Sequence, residues 1–343
     1  MLRRIAAGLV LLALQVPAAA RAQQPAPPEK TAPAASLPAS ALPSPAPRRV
    51  ASLNLCADEL LLRLAGPERV VSVTFLAQDS RASNVADLAR GVPVNRGLAE
   101  EIVPLAPDLV VVGAFTTRAT TAMLHRLGFE VMELAAPGTL AEAYAQIRTV
   151  AARLGVPERG EAMVRQMETA FARLPPADTA RPTAVVLRPN GFTTAGGSLA
   201  DDLMEKAGLI NLAASLSTDK MGQLALEEIV RAQPDFLVVN AEDDAPPSLA
   251  EALLRHPALA PFAAGGRTIS LPLRLWTCAG PELAEAAARL AAARARLPGV
   301  PAAARPPLVH AAAEPGDGVA RSSVTGNALP HAGPPARAAE RVR

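Results

Sequence analysis

The sequence contains few of the residues that build metal centres, disulfide scaffolds or nucleic-acid interfaces. Among its 343 residues are two cysteines and four histidines, too few for a cysteine-rich zinc or iron–sulfur site or for a multi-histidine centre. Nine residues are aromatic, and 34 basic residues are nearly balanced by 32 acidic ones. A nucleic-acid-binding protein normally carries a basic excess and stacking aromatic side chains. The composition therefore argues against these classes and favours a soluble α/β protein.

The N-terminus has the parts of a secretory signal peptide. Residues 1–22 begin with an arginine pair, continue with an apolar run too short to span a bilayer, and end with Ala20 and Ala22 at the positions that signal peptidase reads. We expect cleavage before Gln23, with an uncleaved membrane anchor as the alternative. No nearby cysteine is available for a lipoprotein anchor. The mature protein should be a soluble periplasmic monomer that does not insert into the membrane.

Two segments lack the apolar periodicity of a folded chain. Residues 23–48 form an Ala/Pro-rich linker, and residues 298–343 are rich in Pro, Ala, Gly and Arg without a sustained period. Both segments are predicted to be disordered. The remaining residues, 49–297, are numerous enough for two domains with a core each.

Strand and helix signals alternate in this folded part. The apolar run Leu109–Val112 is typical of a strand that is buried on both faces of a parallel sheet, and Val131–Leu134 is predicted as another strand. Between them, Thr116–Leu127 has helical spacing and stops at Gly128, a residue typical of helix C-caps. The alternation restarts at Thr183–Arg188, so the sequence predicts two α/β halves.

A helical stretch separates the two halves. It is interrupted at Gly155-Val156-Pro157, where Pro157 suits the first turn of a second helix. The predicted organisation is an N-terminal α/β lobe over residues 49–137, a bridging helical segment over 138–175 and a C-terminal α/β lobe over 176–297.

A similar phrase leads into a buried strand in each half. It reads EIVPLAPD from Glu101 and EIVRAQPD from Glu228. Each half thus contains a helix that ends at Pro-Asp directly before a strand. Two similar halves joined by a helix suggest a ligand cleft between them.

Four segments of the folded part resemble the helix-linked (class III) periplasmic solute-binding proteins of ABC importers for cobalamin, haem and ferric siderophores. They are SLNLCADELLLRLAG (Ser52–Gly66), the phrase over Glu101–Val112, GGSLADDLMEKAGLINL (Gly196–Leu212) and LEEIVRAQPDFLVV (Leu226–Val239). The resemblance covers essentially all of residues 49–297. It implies an α/β fold with two Rossmann-like lobes, a long bridging α-helix and a ligand cleft between the lobes. It also implies an ABC permease and its ATPase as partners, and no cofactor or metal site apart from the chelate itself.

The resemblance assigns docking roles to two glutamates. In the family, one acidic residue on the outer face of each lobe contacts arginines of the permease, and charges at both ends of a bilobed body fix its orientation. The matching positions are Glu59 in the first helix and Glu205 in LMEKAG. The alternative is that each is an ordinary solvated helical glutamate.

The cleft should be lined by loops at the carboxyl ends of the strands, where open α/β sheets bind ligands. Trp276, the only tryptophan, either stacks on a corrin, porphyrin or aromatic chelate or packs within its loop. Arg188 and Arg274 are candidates for pairing with an anionic chelate. The candidate cleft residues are Asn54, Cys56, Phe75, Arg96, Phe115, Arg188, Phe192, Arg274, Trp276 and Cys278.

The two cysteines, Cys56 and Cys278, lie in predicted cleft loops of different lobes. Three interpretations stay open. An inter-lobe disulfide would suit the oxidising compartment and would clamp the cleft. Paired thiolates would instead ligate a metal or haem iron, although two sulfurs make an incomplete site. The third interpretation is two small residues that simply pack.

Sequence signals of common enzymes are missing. Gly196-Gly-Ser198-Leu-Ala200 approaches a hydrolase nucleophile elbow, but alanine replaces the final glycine, and His256 precedes a proline at an expected helix end. No dinucleotide-binding, P-loop or HExxH motif is present. These absences leave the resemblance as the guide, and it implies a binding protein, not an enzyme, that captures cobalamin or a ferric siderophore for an importer. Haem as the ligand, or a sensor or scaffold without transport, is the alternative.

Overall fold

The computed structural model of the chain describes residues 45–114, 116, 118–177, 181–219, 221–240 and 253–296. The predicted signal peptide, the C-terminal tail, most of the Ala/Pro-rich linker and Phe115 lie outside these ranges. Within the ranges, no helix combines the length and the apolarity that crossing a membrane requires.

The N-terminal lobe is built on a five-stranded parallel sheet. Its strands are β1 (Val50–Ser52), β2 (Val70–Thr74), β3 (Val94–Asn95), β4 (Leu109–Gly113) and β5 (Val131–Leu134). The order β3-β2-β1-β4-β5 shows that the chain runs outward from β1 and then crosses back over it. The switch point of the sheet therefore lies between β1 and β4, which pair from Val50 with Leu109 to Ser52 with Val111.

Helices cover both faces of this sheet. Because side chains alternate along a strand, Val110 and Val112 of β4 pack on one face with Leu124, while Val111 packs on the other face. Gly128 follows the helix of Leu124 with φ 82°, and its N–H donates to the His125 carbonyl at 3.0 Å, so the predicted C-cap is confirmed. The helices of the lobe are α1 (Leu55–Leu64), α2 (Ala86–Ala89), α3 (Ala99–Ile102) and α4 (Arg118–Arg126).

The bridging segment is helical, as predicted, but it consists of two helices packed against each other. Helix α5 spans Leu140–Arg153 and α6 spans Pro157–Phe171. Arg148 pairs with Glu161 at 2.8 Å, and a Cβ added to Gly160 would lie 2.5 Å from the Ala151 side chain. These contacts join residues that would be far apart on a continuous helix, so α5 and α6 form an antiparallel hairpin.

The C-terminal lobe repeats the plan with four parallel strands. They are β6 (Thr183–Leu187), β7 (Ile210–Asn211), β8 (Phe236–Val239) and β9 (Thr268–Ser270), in the order β7-β6-β8-β9. The switch point of this sheet lies between β6 and β8. The helices are α7 (Leu199–Lys206), α8 (Leu226–Ala232), α9 (Ala260–Ala264), α10 (Arg274–Thr277) and α11 (Glu282–Arg296). The predicted α/β class with two lobes is confirmed.

One hydrophobic core is shared by the two lobes. It contains buried residues of α1, α5, α6, α7 and α11 together with one face of each sheet. Two smaller clusters cover the opposite faces, one around Ile102 and Leu124 in the N-terminal lobe and one around Ile229 and Phe262 in the C-terminal lobe. The continuous core holds the lobes together, which leaves the carboxyl ends of the strands as the places where a cleft can form.

Candidate functional site

Loops at the carboxyl ends of the two sheets contact each other. Gly138, after β5, approaches the loop after β6 so closely that an added Cβ would lie 2.8 Å from the Gly197 carbonyl oxygen. Beside this contact, the Leu140 N–H donates to the Asp202 carboxylate at 2.7 Å. The ends of the sheets at which α/β proteins bind ligands are therefore neighbours in this fold.

Asn54 occupies the switch point of the N-terminal sheet. Its side-chain oxygen accepts hydrogen bonds from the N–H groups of Cys56 at 3.0 Å and Ala57 at 3.2 Å, and thus caps α1. A Cβ added to Gly113, at the end of β4, would lie 2.4 Å from the Asn54 amide nitrogen. Asn54 therefore fixes the start of α1 against β4 at the predicted cleft edge.

Cys56 and Cys278 form a disulfide that joins the two lobes. Cys56 lies in the first turn of α1, and Cys278 lies between α10 and α11, with 222 residues of sequence separation. Their Cα atoms are 5.0 Å apart. Of the three interpretations, the inter-lobe disulfide is the correct one, and it excludes paired thiolates as metal ligands.

Arg274 is engaged in a second contact between the lobes. Its Nη1 donates to Oδ1 of Asn84 at 2.9 Å, and Nδ2 of Asn84 donates to the Arg274 carbonyl at 2.7 Å. In addition, Arg63 of α1 pairs with Glu282 at the start of α11. Together with the disulfide, these pairs form an inter-lobe clamp, a name used below for Cys56–Cys278, Asn84–Arg274 and Arg63–Glu282.

The expectation that Glu59 lies on the outer face is wrong. Glu59 is 2% exposed, and its carboxylate accepts hydrogen bonds from the backbone N–H of Asn84 at 2.9 Å and from its side-chain amide at 3.1 Å. Burial raises the pKa of this carboxyl, and the neighbouring Glu282 adds to the effect. Glu59 therefore holds Asn84 of the clamp in place and, being buried, is not available to a permease. Glu205 is exposed, and its carboxylate lies 4.0 Å from the guanidinium of Arg181.

The expectation that Trp276 lines the cleft is also contradicted by its position. Trp276 is 4% exposed, lies in the single turn of α10 and belongs to the core shared by the lobes. Its indole N–H has no hydrogen-bond partner among the described residues. An indole enclosed in this way packs within the core next to the clamp and would have to move to stack on a ligand. The alternative interpretation, in which Trp276 packs inside the protein, is therefore the correct one.

Apolar surface is nevertheless exposed at the carboxyl end of the N-terminal sheet. Phe75 directly follows β2 and is 53% exposed, and Leu98, shortly after β3, is 52% exposed. Arg96 lies between them in the sequence and is exposed as well, while its backbone N–H is held by Glu101 at 2.7 Å. The structure thus places Phe75 and Arg96 at a common edge.

Arg188 lies at the switch point of the C-terminal sheet, directly after β6. It is mostly buried, its Nε has no hydrogen-bond partner, and no described carboxylate lies within ion-pair distance. Burial lowers the pKa of this guanidinium. Phe192 is half-buried four residues later, and its carbonyl accepts the Arg188 N–H at 2.8 Å. This edge therefore offers a cation that has no counter-charge among the described residues, close to an aromatic residue.

The sequence pattern of periplasmic binding proteins matches residues 50–272 of the chain. The chain belongs to the periplasmic binding protein family. The matched range begins with β1 and runs beyond β9, so it includes both sheets and the helical hairpin between them.

Individual relatives agree with this assignment. The cobalamin-binding protein of Halobacterium salinarum (strain ATCC 29341 / DSM 671 / R1) is 27% identical over 263 residues, which cover 72% of this chain and 71% of the relative. The periplasmic heme-binding protein RhuT from Roseiflexus sp. RS-1 in apo form has a TM-score of 0.59 and 28% identity, over 72% of this chain and 97% of that one. A periplasmic heme-binding protein from Pseudomonas aeruginosa has a TM-score of 0.56 and 26% identity, over 72% and 92%.

Sequence reasoning missed two residues of this periplasmic binding protein. Asn84 gave no signal, because a single polar residue in a loop does not reveal partners on another lobe. Met221 is 69% exposed in a turn beside the end of β6. The sequence signal for an exposed side chain at this position was a methionine that stands alone between a lysine and a glycine.

Proposed function

We propose that the protein is the periplasmic substrate-binding component of an ABC importer. It captures a metal chelate, either cobalamin or a ferric siderophore with haem as the alternative, and delivers it to the membrane permease and its ATPase. The protein is secreted by its signal peptide and performs no reaction. It uses no cofactor of its own, because the chelate brings the metal.

The observation that carries the proposal is the contact between the carboxyl-end loops of two parallel sheets, with Phe75 left exposed at the same end of the N-terminal sheet. Binding pockets for large organic ligands are mostly apolar and contain a few placed polar groups. Phe75 supplies such apolar surface from the N-terminal lobe, and Phe192 supplies it from the C-terminal lobe. The cobalamin-binding and heme-binding names of the relatives fit a ligand of this kind.

Arg188 supplies the placed polar group. Among the described residues Arg188 has no counter-charge, and burial of an unpaired guanidinium is costly. A carboxylate or phosphate of the ligand would relieve that cost through charge-assisted hydrogen bonds. Haem propionates, the phosphate of cobalamin and the carboxylates of many siderophores all offer such a group. Arg274, by contrast, is satisfied by Asn84 and is not proposed to bind ligand.

Docking to the permease requires acidic residues that are exposed on both lobes. Glu205 meets this requirement in the C-terminal lobe. Glu59 is buried, so a different acidic residue of the N-terminal lobe has to provide the second contact. Glu100 in α3 and Glu227 in α8 form a matched pair, since each is exposed in the first turn of the helix that precedes the Pro-Asp strand entry. We therefore propose Glu100 and Glu227 as the principal docking residues, with Glu205 as an additional contact.

Calorimetric titration of the mature protein tests the ligand assignment. Cyanocobalamin, haemin and a panel of ferric siderophores are titrated separately, and we expect one of them to bind with a Kd of about 1 μM or lower. Phe75→Ala should weaken that binding, whereas Leu127→Ala, which removes an exposed side chain 49% accessible at the opposite end of the sheet, should not. Failure of every chelate to bind would overturn the proposed function.

A further inference from the structure

Met221 is the most exposed of the large hydrophobic side chains described, at 69%. Other methionines of the described chain, such as Met167 and Met204, are buried in the shared core. An exposed methionine is unremarkable when it lies on a loose surface turn. The turn that carries Met221 is instead held by a dense set of hydrogen bonds.

Asp219 organises this turn from its start. Its Oδ1 accepts the N–H groups of Met221 at 2.8 Å and Gln223 at 2.9 Å, and its carbonyl accepts the N–H of Gly222 at 3.1 Å. Gly222 has φ 80°, a conformation that glycine adopts at little cost. The backbone therefore presents Met221 at a defined position on the surface.

The turn is fastened to the segment that follows β6. The Thr193 N–H donates to the Gly222 carbonyl at 3.2 Å, and the Leu224 N–H donates to the Gly191 carbonyl at 2.8 Å. Phe192 and Gln223 form an antiparallel bridge between these two contacts. Met221 consequently lies at the carboxyl end of the C-terminal sheet, in the same edge region as Arg188 and Phe192.

A pocket of about 180 Å³ borders the turn. It is lined by Thr193, Gly196, Leu216 and Gly222 among others. Its size suits a substituent of a larger ligand and not the whole ligand, because complete ligand pockets usually measure about 300–1,000 Å³. The surface beside Met221 is therefore concave, and its lining combines Leu216 and alanines with threonines.

We infer that Met221 contacts the ring face of the bound chelate, and that the ligand is a metal-containing macrocycle of the corrin or porphyrin type. This inference rests on the proposed function and narrows its ligand class. A thioether side chain is flexible and polarisable, and it packs favourably against aromatic and other extended ring surfaces. Phe75 provides an exposed aromatic ring on the other lobe, so a flat ligand would be covered by one apolar side chain from each lobe. A ferric hydroxamate, with a rounded and polar surface, gains less from this arrangement.

Titration of Met221 variants tests the inference. Haemin, cyanocobalamin and a ferric hydroxamate are each titrated by absorbance into the mature wild-type protein, Met221→Ala, Met221→Leu and the control Met123→Ala, which removes an exposed methionine from α4. We expect Met221→Ala to raise the Kd of the macrocycle that binds by about tenfold, because apolar burial is lost. Met221→Leu and Met123→Ala should stay within about twofold of wild type.

The outcomes separate this inference from the proposed function. Unchanged affinity of Met221→Ala, or equal losses in Met221→Ala and Met123→Ala, would overturn the role of Met221 while the protein remained a chelate-binding protein. Binding of a ferric hydroxamate alone would overturn the macrocycle assignment and leave the importer role intact. Binding of no chelate at all would overturn the proposed function itself.

Discussion

Asn84 of the N-terminal lobe and Arg274 of the C-terminal lobe exchange two hydrogen bonds, at 2.9 and 2.7 Å, across 190 residues of sequence. The same Asn84 side chain donates to the buried carboxylate of Glu59. A single amide therefore satisfies a cation and an anion from different lobes at one point. Because buried charged groups are costly without such partners, Asn84 is central to the inter-lobe clamp.

Replacement of Asn84 by alanine should destabilise the protein by about 3 kcal/mol. The variant leaves Glu59 and Arg274 without their side-chain partner, and burial prevents water from replacing it fully. Urea unfolding followed by circular dichroism measures the change. Gln166→Ala, which removes an exposed amide from α6, serves as the control and should stay within about 0.5 kcal/mol of wild type. Equal stability of the two variants would show that the Asn84 network contributes nothing.

The disulfide should contribute more than any single hydrogen bond of the clamp. Cys56→Ser with Cys278→Ser opens a loop of 222 residues, and we expect a loss of about 2–5 kcal/mol in the free energy of unfolding. The wild-type protein unfolded in the presence of a reductant is the matched control, because it lacks the cross-link but keeps the sequence. Both samples should unfold at the same lower urea concentration. A double variant as stable as the oxidised wild type would contradict the prediction.

Several features of the fold could be predicted from the sequence because they depend on local pattern. Leu109–Val112 was predicted as a strand and lies in β4, since a short apolar run with three valines between turns has few other solutions. Glu59 could not be placed correctly. Charged residues on a helix normally indicate a solvated face, but α1 is packed between its own sheet and the C-terminal lobe, so that Asp58 and Glu59 are both buried.

Contacts between side chains that are far apart in the sequence could not be predicted either. Trp276 was expected in a loop, whereas a single helical turn directs it into the shared core. With two cysteines in the chain, only one intramolecular disulfide was possible. The sequence alone could not show that the Cα atoms of Cys56 and Cys278 lie close enough for it to form. Contacts between lobes depend on how whole elements pack, and no local pattern records that.

Asp58 should make stability depend on pH. Burial raises its pKa from 3.8 to about 7, although hydrogen bonds from the Thr74 N–H and hydroxyl oppose the shift. The native state therefore holds this proton more tightly than the unfolded chain. The resulting stabilisation is complete below pH 3.8, is lost as the pH rises towards 7, and amounts to at most about 4 kcal/mol.

Asp58→Asn removes this titration, so unfolding free energies measured from about pH 4 to pH 8 should fall less steeply for the variant than for wild type. Asp87→Asn, at an exposed position of α2, should retain the wild-type slope. Parallel pH profiles for wild type and Asp58→Asn would show that the buried carboxyl does not titrate in this range.

The matched glutamates Glu100 and Glu227 should be needed for delivery of the ligand and not for its capture. We expect the double variant Glu100→Ala with Glu227→Ala to bind chelate like wild type, because both carboxylates are exposed on the first turns of α3 and α8 and neither is a proposed ligand contact. Uptake by cells in which this variant replaces the native protein should fall by about tenfold, since the permease loses a charge contact at both lobes. Glu168→Ala, an exposed glutamate of α6, is the control and should transport normally. If Glu205→Ala abolished uptake while the double variant did not, docking would instead depend on the C-terminal end of α7, where Glu205 lies. Normal uptake by all of these variants would contradict docking through acidic residues.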